Sequence, residues 1–166
     1  MMRLKEGELE IYEKIDLYNR YKSIVNLHRY QDGLELLEKV DKQIILQMIE
    51  DIFRVKAKYF GKEKFYQIKL VNGEVESIYN ICLQYGSVES IFWIKSSLSD
   101  SGYGNQIVTM LRLIDKEYGK DTSSSEIGQP CFKNYEELRE ILTELKPLFE
   151  DFKNEFLSSG ILEKNI

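Results

Sequence analysis

Hydrophobic and polar positions alternate in three stretches of the chain that echo one another at about thirteen residues: Phe65-Tyr66-Gln67-Ile68-Lys69, Ile78-Tyr79-Asn80-Ile81-Cys82 and Ile91-Phe92-Trp93-Ile94-Lys95. The last two lie inside a longer near-copy, Gly73-Glu74-Val75-Glu76-Ser77-Ile78-Tyr79 and Gly86-Ser87-Val88-Glu89-Ser90-Ile91-Phe92. Strand residues point alternately to opposite faces. Tyr66, Ile68 and Leu70 then share a face with Tyr79, Ile81, Leu83, Phe92 and Ile94. The other face carries Gln67, Lys69, Asn80, Cys82, Gln84, Trp93 and Lys95. One apolar and one mostly polar face is how a one-sided antiparallel sheet reads. Asn72-Gly73 suits a type I′ turn between the first two runs, and Gly86-Ser87 a similar turn between the second and third. The pattern predicts a three-stranded antiparallel meander over about 64–96. The alternative is all-α, because Ile78, Ile81, Cys82 and Tyr85 also fit helical spacing with Gly86 as a C-cap.

Helical periodicity fills the rest. Residues 8 to about 30 place Ile11, Ile15, Tyr18 and Val25 at helical intervals. A second stripe runs from Leu34 to Phe60, with Asp32 and Asp41 as N-cap candidates, a break available near Val40, and Gly61 stopping it. Asn105 to Tyr118 reads as a helix closed by Gly119. Asn134 with Glu137 resembles a capping box ahead of Leu138, Ile141, Leu142, Leu145, Leu148, Phe149, Phe152 and Phe156. Pro147 inside that stripe predicts a kink or a second helix start. A sheet with one apolar face needs a covering layer, and amphipathic helices need a surface to lie on. The fold class expected is α+β, as one domain over 1–166. Asp121 to Glu126, continuing to Gly128 and Pro130, reads as the flexible loop.

Composition narrows the function classes. No leader-like segment opens the sequence, and no apolar run is long enough to span a bilayer, so a cytoplasmic chain that engages no membrane is expected. Cys82 and Cys131 have no metal-like spacing and read as reduced thiols. His28 is the sole histidine and no motif surrounds it, so a helix-end role is expected rather than catalysis. Most carboxylates fall on helix faces that read as solvated, such as Glu6, Glu8, Glu10 and Glu13, or Glu136, Glu137, Glu140 and Glu144. Ser101-Gly102-Tyr103-Gly104-Asn105 lacks the Lys of a phosphate loop and the third Gly of a dinucleotide fingerprint, and reads as a linker. No cofactor, metal or catalytic residue is expected.

With 23 basic and 28 acidic residues the net charge is −5, and no Lys/Arg block stands out, which disfavours direct nucleic-acid binding. A basic protein partner fits better, since complementary potentials speed encounter. Eleven tyrosines and a lone tryptophan supply residue types that anchor interfaces.

In its whole-chain character, with Ser101-Gly102-Tyr103-Gly104-Asn105 leading into Met110 to Gly119 as its most distinctive stretch, the chain resembles the bacterial immunity proteins that accompany contact-dependent-inhibition and polymorphic toxins. That resemblance implies a cytosolic antitoxin that binds a cognate toxin, often a basic nuclease, and blocks it with carboxylates and aromatics. It transfers no functional residue. Two other classes stand behind it, a homo-oligomeric adaptor or regulatory domain, and a metal-dependent hydrolase. Exposed acids and aromatics near the meander and its following loop, Glu76, Glu89, Trp93, Asp100 and Tyr103, are the partner-binding candidates.

Overall fold

The computed structural model describes residues 2–120 and 127–165, so the loop expected at 121–126 lies outside the described residues. The fold is α+β. Five strands form one antiparallel sheet in sequence order: β1 (Lys58–Phe60), β2 (Phe65–Asn72), β3 (Val75–Gln84), β4 (Ser87–Ser96) and β5 (Gly102–Gln106). The expected meander is β2, β3 and β4, and the expected faces are the observed ones. Tyr66, Ile68, Tyr79, Ile81, Phe92 and Ile94 are all buried on the inner side.

Two strands escaped the sequence reading. β1 was expected to be helical, but it is only three residues long and shows no period of its own. Tyr59 turns inward there, with its ring 4.7 Å from that of Tyr66. The segment 101–105 is a strand rather than a linker. Its glycines hide the alternation because close neighbours replace side chains at those positions. A Cβ on Gly104, at φ +117°, would stand 2.0 Å from the Phe92 carbonyl oxygen, and one on Gly102 2.6 Å from the Trp93 indole.

Both hairpin turns sit one residue away from their expected places. Asn72 pairs with Val75, which leaves Gly73-Glu74 as the first turn, with positive φ at Gly73 alone. That is the type II′ requirement. Gln84 pairs with Ser87, so the second turn is Tyr85-Gly86, at φ 55° and 76°. Two positive values make type I′. A Cβ on Gly86 would also meet Leu36 at 2.5 Å.

The helices α1 (Glu8–Lys14) and α2 (Leu17–Leu27) were expected as one. Asp16, in the left-handed region at φ 53°, separates them, a conformation Asp tolerates better than most residues. In α3 (Lys42–Phe53) the Asp41 carboxylate accepts from Gln43 N at 2.9 Å and Ile44 N at 3.1 Å, and Arg54 ends the helix at φ 61°. Residues 34–40 are not helical, in contrast to the stripe read through them. Leu36 lies against the second turn, and Leu37 N bonds Phe132 O at 3.1 Å, so tertiary contacts outweigh helical periodicity here.

The helix α4 (Ile107–Glu117) follows β5 directly. Asn134 caps α5 (Tyr135–Ser159) by accepting from Glu137 N at 2.8 Å, while Glu137 returns to Lys133 N at 3.2 Å. Pro147 neither ends α5 nor starts a new helix. Its ring is on the exposed side, while the buried stripe from Leu138 to Phe156 runs on beneath it. A 3₁₀ helix, Ile161–Asn165, closes the described chain.

The helices cover only the inner face of the sheet. Phe149 and Phe152 of α5 press on Phe92 with ring centroids 5.2 and 5.4 Å away, and Tyr12 of α1 stacks on Phe152 at 6.3 Å. Both sheet edges are blunted. β1 is short and carries Lys58, a usual defence against edge-to-edge pairing. Glu8, expected on a solvated helix face, is instead buried along β5, where its carboxylate accepts from Gly104 N at 3.4 Å, Lys5 N at 2.7 Å and the Tyr12 hydroxyl at 3.2 Å. Lys5 Nζ donates to the Gly102 carbonyl. Beyond β5 the free margin of β4 is taken by residues 130–132, through Val88 N to Pro130 O and Phe132 N to Gly86 O, each 2.9 Å. No helix among the described residues is long and apolar enough to cross a membrane.

Candidate functional site

Among the described residues no helix covers the outward side of the sheet, and the strand register arranges its side chains in four cross-strand rows. The first holds Phe60, Phe65, Cys82 and Glu89, and the second Lys58, Gln67, Asn80, Ile91 and Gln106. The third holds Lys69, Ile78, Trp93 and Gly104, and the fourth Val71, Glu76, Lys95 and Gly102. Phe60 and Phe65 stack at 4.8 Å, with Lys58 Nζ also 4.8 Å from the Phe60 ring centroid. Gln67 Nε2 donates to Asn80 Oδ1 at 3.0 Å, and Lys69 Nζ pairs with Glu76 Oε1 at 3.2 Å.

Trp93 is half-buried near the β5 side, with its indole against the bare backbone of Gly102. Ile78 faces it directly across the β3–β4 ladder. A depression of about 190 Å³ beside it reaches Met2, Leu113 and Tyr12. Trp93 is thereby fixed in place with part of its ring still open, which is the state an interface anchor needs.

The structure brings together three of the five sequence-predicted residues. Glu76, Glu89 and Trp93 share this face, although Glu76 is held by Lys69. Asp100 is exposed on the β4–β5 connection beside it. Tyr103 requires correction. It is 5 % exposed, it points to the inner layer with its ring 5.3 Å from that of Phe156, and Lys5 Nζ lies 4.9 Å from it. It belongs to the core because β5 is a strand, and the register Ile94↔Tyr103 places it with the inward set.

The sheet face itself is nearly balanced in charge, with Lys58, Lys69 and Lys95 against Glu76 and Glu89. Three carboxylates, among them Glu13, which was expected on a plain solvated face, gather elsewhere. Glu13, Asp16 and Asp115, with Tyr18 and Tyr118, line a cleft of about 230 Å³ between α1, α2 and α4. Tyr18 donates to Asp115 Oδ2 at 3.1 Å, Asn19 Nδ2 to Asp16 Oδ1 at 2.9 Å, and Tyr118 to Glu13. Asp115 is buried, and loss of solvent followed by its hydrogen bond raises the Tyr18 hydroxyl pKa above the ordinary tyrosine value. Lys22 and Lys120 Nζ lie 5.5 and 5.9 Å from the Tyr18 ring centroid, so the cleft already attracts cations. Tyr12 lines both this cleft and the depression beside Trp93. The residues come from positions up to about a hundred apart, and only the α1–α2 break and the α4 end bring them together. No local signal marks the set.

Nucleophile chemistry finds little here. Both cysteines are free, and burial pushes each thiol pKa up, that of Cys82 to about 11 with help from the Glu89 charge. His28 closes α2 with Nε2 3.3 Å from Glu144 Oε2. Among the described residues no group of three or more His, Cys, Asp or Glu side chains is placed to hold a metal. Comparison of the chain with protein-family models, with curated proteins and with solved structures finds no match.

Proposed function

We propose that this chain is a non-catalytic binding protein of the toxin-immunity type, which occludes a basic protein partner in the cytoplasm. The observation that carries the reading is the open sheet face, where Trp93, Ile78, Ile91, Phe60 and Phe65 stand outside the core on a rigid five-stranded platform. Folding needs none of them as it needs the inward set, and aromatic anchors on a fixed scaffold are what a stable interface uses. The acidic, tyrosine-lined cleft between α1, α2 and α4, and the net charge of −5, add the electrostatic part by steering and holding a cationic surface. The raised thiol pKa values support a non-catalytic role, since a reactive cysteine needs its pKa lowered.

Trp93 is the only tryptophan, so its emission reports directly on this surface. Under this reading an adjacent reading frame encodes the toxin domain, and titration with that domain should shift the emission to shorter wavelength. In Glu89→Lys/Asp100→Lys the affinity should fall by about tenfold or more, while the melting temperature stays within about a degree of the parent. Unchanged emission and unaltered affinity in that double variant would remove the proposed face.

A further inference from the structure

A separate groove of about 520 Å³ lies where the end of α2, the start of α4 and residues 127–131 meet. Its size falls within the roughly 300–1,000 Å³ of small-molecule sites. Arg29, Arg112, Gln106, Gln129, Ser87 and Tyr30 contribute its polar and aromatic lining, and among the described residues no carboxylate does. Two guanidinium side chains in one depression stand out in a chain of net charge −5. Arg20, by contrast, is paired with Asp151 at 2.8 Å. Among the described residues neither Arg29 nor Arg112 makes an ion pair, and Arg29 is held only by donation to Asn26 Oδ1 at 2.7 Å.

The amides are set to donate as well. The Ser87 hydroxyl is shared between Gln84 O at 2.9 Å and Gln129 Oε1 at 3.2 Å, which leaves Gln129 Nε2 as the free end. Thr109 Oγ1 bonds Gln106 Oε1 at 3.4 Å and likewise leaves Gln106 Nε2. Gln106 makes no side-chain cap on α4, and the start of that helix lies at the same corner. The guanidinium and amide groups around the groove therefore present donors and positive charge, which match the lone pairs of an oxyanion.

We propose that this groove binds the anionic group of a small molecule, a phosphate or a carboxylate, through Arg29, Arg112 and the side-chain amides of Gln106 and Gln129. The groove meets the sheet face at its margin, at Gln106, and anion binding there does not rest on the proposed toxin interface. The test is calorimetric titration of the full chain with inorganic pyrophosphate and, separately, with citrate, at fixed ionic strength. Saturable binding of at least one is expected, and the stronger of the two identifies the anion chemistry. Arg29→Gln and Arg112→Gln should each weaken it about tenfold, because one charge-assisted bond is lost. Both side chains are exposed, so the melting temperature of the ligand-free variants should match the parent. Absence of saturable binding for both anions overturns the proposal. So does undiminished binding in the Arg29→Gln/Arg112→Gln double variant.

Discussion

Phe92 and Trp93 are neighbours in β4 and stand on opposite sides of one sheet. Phe92 is fully buried between Tyr79, Phe149 and Phe152, with centroids 4.9, 5.2 and 5.4 Å away. Trp93 meets Ile78, the Gly102 backbone and open space. The inward residue is specified from several elements at once, so its identity follows from packing. The outward one has few neighbours, and packing alone leaves its identity free. Large apolar side chains on the freer face therefore point to recognition.

Substitution should separate the two sides. We expect Phe92→Ala to cost about 3–5 kcal/mol, as large-to-small changes in an aromatic core do, and Trp93→Ala no more than about half of that, both measured by urea denaturation. Equal losses would mean that Trp93 belongs to the core, and the contrast between the faces would collapse. Next in size is Glu8→Ala, which leaves the Gly104 and Lys5 N–H groups and the Tyr12 hydroxyl without their shared acceptor. A loss of about 1–3 kcal/mol is expected, against almost none for Glu6→Ala at the exposed position two residues earlier.

The smallest effect depends on pH. In the folded chain burial, reinforced by the charge of Glu89, raises the Cys82 thiol pKa from 9.0 to about 11. The folded state thus disfavours the thiolate. The associated stability is whole below about pH 9 and is lost as pH rises through about 11. Cys82→Ser should flatten that part of the alkaline decline, read as urea midpoints at about pH 8 and about pH 10.5. Tyr66, raised to about 12 by burial, carries the decline further in either protein. An identical alkaline decline in parent and variant would show that Cys82 is not shielded on the outer face.

Alternation made the central sheet legible from sequence, because β2, β3 and β4 each supply eight or more residues of period two. The two outer strands were illegible for different reasons. β1 has too few residues to show a period, and β5 hides its outward positions behind glycines that make room for Trp93 and the Phe92 carbonyl. The offset of the second turn has its own cause. Tyr85 occupies a left-handed position normally given to Asn or Gly, so residue preference pointed one place too far along. At the site, Glu76, Glu89 and Trp93 could be grouped by parity alone. Tyr103 could not, since its parity has no meaning until β5 is known to be a strand. The acidic cleft and the arginine groove are assembled by tertiary contact, for which spacing along the chain holds no sign.

Glu8 and Lys5 act as a latch on the last ribbon of the platform. Drawing the first turn of the molecule away, by a fused tag, a pulling force or a protease cut near Gly7, would bare the Gly102 carbonyl and the Gly104 amide together. A sixth strand from any neighbouring chain could then zip on, turning a self-contained ribbon stack into a seed for swapped dimers and fibres.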